Sequence, residues 1–311
     1  MTTTTTTTTS RNKWRHLLRN PVTIKELRSR MRGRRAFVVL TLYLLLLSGV
    51  VSFVYLTVVA GSSVPGGTNA AYTVGKAVFG AVIGVQVVLV TFIGPAFTAG
   101  AISGERERQT FDLLRTTLLS AHSFVLGKLV SALSYIFLLV LVSIPIQSIA
   151  FLLGGLSPVE LVLSQLVILV AAVTYALYGL WCSAAMRSTL SATVATFGGM
   201  LVLVFVVPLL ALFFAVGVSF PLGTSAAPSP LLQMALIEGA LALIATNLPA
   251  TLIASEIILL QEDALLAYTQ LVGTRTLLVI SPWWLFIILH LIAAALLYRA
   301  TVLRVRRVSD V

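Results

Sequence analysis

Long apolar tracts are the feature that most limits what this chain can fold into. Six of them run over residues 36–60, 77–103, 129–153, 161–186, 191–217 and 281–303, and all but the last lack any charged residue. A helix of about 20 apolar residues crosses the roughly 30 Å of hydrocarbon in a bilayer. Only 10% of the 311 residues are charged, whereas a soluble domain carries roughly 25%. The sequence therefore predicts an all-α integral membrane protein, a bundle of six transmembrane helices over residues 36–304, and excludes an ordinary soluble enzyme.

The lysines and arginines predict how this bundle is oriented. Ten precede the first tract, four lie between the second and third, one follows the fourth, and four lie at or beyond the end of the last. Loops rich in Lys and Arg flank the cytoplasmic side of a membrane protein. We therefore expect both termini in the cytoplasm of a cell (plasma or inner) membrane, with residues 305–311 as a basic tail. Only Lys76 and Arg275 then lie outside.

The region between the fifth and last tracts is apolar but interrupted by charges and by Asn247-Leu248-Pro249. If it crossed the membrane once, the basic tail would lie outside. We therefore expect a re-entrant outer segment, residues 220–273, in which two short helices turn around Asn247. Its acidic residues, together with Glu160, favour a solvated cap over an outer vestibule or, as the alternative, an exit that attracts cations.

The N-terminal region divides into two predicted parts. Residues 1–19 begin with a threonine run that cannot build a core, and we expect a disordered basic tail there. Residues 20–35 predict an amphipathic helix on the membrane surface, in contact with lipid, because cations form a stripe beside apolar residues. The residues assigned to it are Pro21, Lys25, Glu26, Leu27, Arg28 and Arg32. The alternative is a basic flank that only sets the topology.

The loop over residues 104–128 is the most polar internal stretch. Phe111, Leu114 and Leu118 have the spacing of one helix face, and charges of both signs surround them. This pattern favours docking into a groove on a soluble partner, where apolar anchors give affinity and charges fix the register. The alternative is a solvated helix lying on the protein's own base.

Two segments carry a resemblance to a known family. Residues 20–37 (NPVTIKELRSRMRGRRAF) and 104–114 (GERERQTFDLL) resemble the N-terminal element and cytoplasmic loop of bacterial ABC exporter permeases of the type-2 class. Ser120, Gly127-Lys128 and the turn over residues 154–160 are also similar. The sequence departs from the family pattern at Gln109, where glycine is common, and at Leu118, where proline is common.

The resemblance implies a transport subunit without its own ATPase. Such a permease pairs with a second permease copy, as a homodimer or heterodimer, and with cytosolic ABC ATPase subunits that bind ATP and Mg. Residues 21–34 would form the connecting helix, and residues 220–273 would hold short re-entrant helices near the outer gate. The residues that would couple to the ATPase are Glu105, Arg106, Glu107, Arg108, Thr110, Phe111 and Leu114.

Catalytic motifs are absent from the sequence. No G-x-x-x-x-G-K-[ST] loop is present to cradle phosphates, so we expect ATP to be hydrolysed by a partner. No H-E-x-x-H or G-x-S-x-G occurs, and the three histidines are far apart in the predicted topology. We expect this chain to bind no cofactor, metal or nucleic acid and to be no enzyme.

Polar groups at membrane depth are costly and often functional. Gln86, Gln147 and Gln165 are candidates to line a substrate cavity, with Gln86 the strongest because its span leads into the polar loop. The alternative for each is an interhelical hydrogen bond, typically about 0.6 kcal/mol. For His290 we favour packing over proton transfer.

Two other functions remain open alongside an ATP-driven exporter. A secondary transporter or channel would draw on an ion gradient, and a structural or sensory membrane protein would dock a partner other than an ATPase. A secondary transporter should contain inverted repeats with broken helices in both halves. The sequence indicates broken helices only in its C-terminal part.

Overall fold

The computed structural model describes residues 34–61, 68–109, 120–219, 230–262, 267–272 and 275–309. Most of the predicted N-terminal surface helix lies outside these residues, including Pro21, Lys25, Glu26, Leu27, Arg28 and Arg32. Thr110, Phe111 and Leu114 of the polar loop also lie outside them.

Helices form nearly all of the described chain. The first five are α1 (Arg34–Gly61), α2 (Thr68–Ala99), α3 (Ser103–Glu107), α4 (Ala121–Leu152) and α5 (Pro158–Ala185). A long helix follows, made of α6 (Thr189–Leu201), a π-helical segment (Val202–Val206) and α7 (Val207–Ser219). The remainder comprises α8 (Pro230–Ile244), α9 (Leu248–Glu262), strands β1 (Ala267–Val272) and β2 (Arg275–Ile280), and α10 (Pro282–Ser309).

Six helical stretches of the described chain are long and apolar enough to cross a membrane. They are Phe37–Gly61, Ala71–Glu107, Ala121–Leu152, Pro158–Ala185, Thr189–Phe213 and Pro282–Arg306. The chain is therefore a multi-pass, predominantly helical membrane protein, as predicted. The helices extend beyond several of the predicted tracts, because a helix continues through polar residues once its backbone hydrogen bonds are established. Helix α2 accordingly begins at Thr68 and includes Lys76.

A β-hairpin lies beside the bundle where the sequence analysis expected no strand. Strands β1 and β2 pair antiparallel, with Ala267 opposite Ile280 and Val272 opposite Arg275. The strands contain several β-branched and aromatic residues, which favour extended backbone. The two residues between the strands include a glycine, as is common in short hairpin connections.

Serine side chains fix where three of the helices begin. Ser120, Ser157 and Ser188 precede α4, α5 and α6, and each hydroxyl accepts a hydrogen bond from the backbone N–H three residues later, at 3.2–3.3 Å. These bonds satisfy N–H groups that have no partner inside the helix. Ser157 is followed by Pro158 at the first helical position, where a missing N–H is tolerated.

Helices α2 and α5 form the centre of the bundle. Helix α2 packs along α1, α4, α5 and α6, and α5 also packs along α10. Val78, Val167, Ala171 and Phe286 are fully or almost fully buried between these helices. Helix α1 is peripheral, and Phe53 on it is 68% exposed, which suits contact with lipid tails.

Helices α8 and α9 are bent by 119° relative to each other at the break after Ile244. Asn247 lies in this break, as the sequence analysis expected of the turn. Its side-chain amide donates hydrogen bonds to Leu203 O at 2.7 Å and Val204 O at 3.2 Å, and its Oδ1 accepts one from Ala250 N at 3.0 Å. The tip of the bent pair is thus fixed against the π-helical segment of the long fifth span.

Candidate functional site

Three groups of polar side chains lie along the bundle, and the first surrounds α3. Glu105 on α3 accepts a hydrogen bond from Lys128 Nζ at 2.5 Å, and this ion pair joins α3 to α4. Lys128 is only 8% exposed. A buried ammonium requires a partner of opposite charge, so the pair fixes the position of α3 against the start of α4.

Arg106 and Ser183 join α3 to the end of α5. The Arg106 guanidinium donates to Ala184 O at 3.3 Å and to Met186 O at 3.4 Å. These carbonyls lie at the helix end, where a cation is favourable. Ser183 Oγ accepts from the backbone N–H groups of Ile102 at 2.9 Å and Ser103 at 3.0 Å.

Glu107 joins α3 to the start of α6. Its carboxylate accepts from Thr189 N at 2.7 Å and from Thr189 Oγ1 at 2.6 Å. A carboxylate is favourable at a helix N-terminus, where backbone N–H groups lack partners. Together with the ion pair to Lys128 and the Arg106 contacts, this forms what we call the α3 junction, which links α3 to α4, α5 and α6.

The predicted coupling residues therefore divide into three groups. Glu105, Arg106 and Glu107 contact the chain's own helices, and Arg108 is exposed beside them. Thr110, Phe111 and Leu114 lie outside the described residues. The first turn of the loop thus lies against the chain's own helices. Both interpretations of the helix predicted around Phe111 and Leu114 remain predictions, because that segment lies outside the described residues.

The second group is a glutamine cluster made of Gln86 on α2, Gln147 on α4 and Gln165 on α5. Gln86 Oε1 accepts from Gln147 Nε2 at 3.3 Å and from Gln165 Nε2 at 3.2 Å. Gln165 Nε2 also lies 3.3 Å from Gln147 Oε1, and Gln86 donates to Ser143 Oγ. Gln86 and Gln147 are at most 1% exposed. The cluster therefore joins three spans through interhelical hydrogen bonds that are shielded from solvent.

The third group lines a cavity of about 410 Å³ between α2, α5 and α9, which we call the Lys76 cavity. Its walls are mainly apolar, and none of the three clustered glutamines lines it. Lys76 Nζ lies 3.4 Å from Glu160 Oε2 and forms a second, closer ion pair with Glu256 Oε1. Ser164 and Ser255 add hydroxyl groups to the lining.

Sequence reasoning placed the charges of this cavity outside the membrane but did not bring them together. Lys76 lies at the edge of an apolar tract, and Glu160 and Glu256 lie far from it in sequence. The available signal was one isolated cation at the outer end of the second span and one isolated anion at the outer end of the fourth. Only the packing of α9 against α2 and α5 shows that they share a cavity.

A close contact of two glycines positions Lys76 beside Glu160. A Cβ atom on Gly155 would lie 2.5 Å from Lys76 N and 2.8 Å from Gly75 Cα, far inside van der Waals contact. The turn between α4 and α5 therefore approaches the backbone of α2 only because both positions lack side chains.

The glycine pair Gly80 and Gly84 on α2 is not packed closely against another helix of the described chain. A Cβ on either glycine would meet no atom within 4 Å. Both residues line the Lys76 cavity, so within this chain they provide space there.

His290 is a packing residue in the described structure. It is 6% exposed, its ring stacks on Phe286 with centroids 3.7 Å apart, and its Nδ1 lies 3.0 Å from Phe286 O. Among the described residues, no three His, Cys, Asp or Glu side chains are grouped to hold a metal ion.

No protein-family model matches the chain, and no curated protein matches it. The features of the chain that indicate a function are therefore its sequence motifs and the three polar groups of the bundle.

Proposed function

We propose that this chain is the membrane-spanning permease subunit of an ABC exporter. In this proposal it moves a substrate across the cell membrane by alternating access, with both termini in the cytoplasm. A separate cytosolic ATPase binds ATP and Mg and supplies the energy, and a second permease copy completes the translocation path. The observation that carries the proposal is the α3 junction.

The α3 junction offers a physical route for force. Helix α3 follows α2 after the short turn over residues 100–102, and side chains link it to one end each of α4, α5 and α6. A displacement of α3 by a docked partner would therefore act on four spanning helices at once. Switching proteins commonly respond in this way, because packed elements shift as rigid bodies when one of them is moved.

The glutamine cluster supports the same mechanism at the middle of the bundle. It joins α2, α4 and α5, the helices whose ends meet at α3. A change of the bundle between inward-facing and outward-facing states would have to break these hydrogen bonds and form others. The secondary-transporter alternative is less well supported, because among the described residues the strongly bent helix pair lies in the C-terminal half alone.

The proposal is tested by capture of an ATPase. The full chain carrying a tag is isolated from the membranes of its native cell, and the ATPases with a phosphate loop that co-purify with it are identified by mass spectrometry. We expect co-purification and ATP hydrolysis by the complex, and none by the chain purified alone. The double variant Phe111→Asp with Leu114→Asp should lose the ATPase, because charges replace the predicted apolar anchors.

Two further variants sharpen this test. Ser120→Asp adds a negative charge in the same loop but keeps a residue able to cap α4, so it should retain the ATPase. Arg106→Ala should also retain it, while reducing ATP hydrolysis by the complex, because α3 loses its hydrogen bonds to Ala184 and Met186 at the end of α5. Capture of the ATPase by the Phe111 and Leu114 double variant would contradict the proposal.

A further inference from the structure

The Lys76 cavity has the size and lining of a ligand site. Its volume of about 410 Å³ falls within the range of roughly 300–1,000 Å³ typical of small-molecule pockets, which are mostly apolar with a few convergent polar groups. Phe79, Ile83, Val87, Leu163 and Leu252 supply the apolar walls.

The charges in this cavity do not balance. Within the described part of the chain, the ionisable side chains that line it are one ammonium, on Lys76, and two carboxylates, on Glu160 and Glu256. Lys76 Nζ contacts both carboxylates, so a single positive charge is shared between two negative charges. The surplus is one negative charge beside apolar walls, where charges interact more strongly than in water.

A separate observation points to a missing polar partner. Ser255 is 7% exposed and lines the cavity one residue before Glu256. Its hydroxyl is buried and has no hydrogen-bond partner among the described residues. Buried hydroxyl groups in proteins are nearly always hydrogen-bonded, and a bound ligand would supply the partner for this one.

We propose that the Lys76 cavity binds a monovalent amphiphilic organic cation. Its charged group lies against Glu160 and Glu256, and its apolar part occupies the space beside Gly80 and Gly84. As a substrate class for transport, this inference rests on the proposed exporter function. Binding itself requires no ATPase, so the two proposals fail in different experiments.

The test uses two ions of the same shape and opposite charge, tetraphenylphosphonium and tetraphenylborate. Displaceable binding of each to the full-length chain in nanodiscs of uncharged lipid is measured by equilibrium dialysis. We expect saturable binding of the cation and at least tenfold weaker binding of the anion. Equal or tighter binding of tetraphenylborate would overturn the proposal and would indicate a site for anionic headgroups centred on Lys76.

Variants separate the two parts of the site. Glu256→Gln and Glu160→Gln should each weaken binding of the cation about tenfold, because each removes one charged partner. Glu238→Gln is the matched control, since Glu238 is exposed and does not line the cavity. Unchanged affinity in both cavity variants would contradict the inference.

Gly84→Leu tests the cavity without changing its charge. A side chain there meets no neighbouring atom within 4 Å of its Cβ, so the variant should fold and should abolish binding by filling the space. Gly49→Leu, at an exposed position on α1 with equal room, should bind the cation as the unchanged chain does. Full binding by Gly84→Leu would show that the cation lies elsewhere.

Discussion

At the scale of the residue, Gln109 adopts a backbone conformation that favours glycine. Its φ is 56°, the only positive φ of a non-glycine residue in the described chain. A side chain in this left-handed region costs about 1–2 kcal/mol, whereas glycine adopts it freely. A glycine would therefore suit the backbone conformation that follows α3 and Arg108 better than the glutamine does.

Replacing Gln109 by glycine should accordingly stabilise the protein. We expect Gln109→Gly to raise the free energy of unfolding by about 1 kcal/mol, because strain is relieved, measured by detergent denaturation in mixed micelles. Gln109→Ala is the control, since it removes the same side chain but keeps a Cβ. Equal stability of the two variants would show that the backbone at residue 109 is unstrained.

At the scale of the element, the break between α8 and α9 is coupled to an irregularity in another helix. Val202–Val206 is π-helical, and single π turns displace carbonyls from the regular hydrogen-bond ladder. Asn247 donates to two carbonyls of this segment, those of Leu203 and Val204, while its Oδ1 caps α9. The Asn247 side chain therefore supplies hydrogen-bond partners to irregular backbone in both elements. Irregular backbone at membrane depth needs such partners, because no water is available there.

The change Asn247→Asp separates these two roles. An aspartate keeps the oxygen that caps α9 but loses the N–H donors to the π-helical segment. We expect the free energy of unfolding to fall by about 1–3 kcal/mol, the range for leaving a buried polar group unsatisfied, in the same denaturation measurement. Ser188→Asp, a substitution by aspartate at another helix cap, should have little effect. An equally small effect at Asn247 would refute the coupling.

At the scale of the whole molecule, the polar groups occupy three levels along α2. The charged end of the Lys76 cavity lies near its start, the glutamine cluster near its middle, and the α3 junction beyond its end. The positive-inside rule predicts that the α3 end faces the cytoplasm. In the proposed exporter, this arrangement separates the place where a partner acts from the place where a ligand binds.

Cysteine labelling in intact cells measures this orientation. The single native Cys182 is buried, so new cysteines are introduced after Cys182→Ala. A cysteine at Glu238 should react with a membrane-impermeant maleimide in intact cells, and one at Ser120 only after permeabilisation. Both positions are exposed in the described structure. The reverse pattern would invert the bundle and remove the basis for a cytoplasmic partner at α3.

Part of the fold was predictable because its causes are local in the sequence. Apolar tracts of sufficient length predicted the six helices that could span a membrane, since in lipid every backbone group must be bonded within its own segment. The turn at Asn247 was predictable from an Asn-Leu-Pro sequence between two apolar stretches. The three glutamines were recognised as unusual because polar groups at membrane depth stand out in such a composition.

The sequence by itself predicted six helices long and apolar enough to span a membrane, and it showed which residues are chemically unusual within them. Only the tertiary structure decided how those residues combine. It grouped the glutamines with one another, brought Lys76 to Glu160 and Glu256, and bound Glu107 to Thr189. The length of an apolar tract determines, for each segment separately, whether it can form a spanning helix. Contacts between side chains depend instead on helix rotation and on close packing at positions such as Gly155, which the sequence pattern alone does not encode.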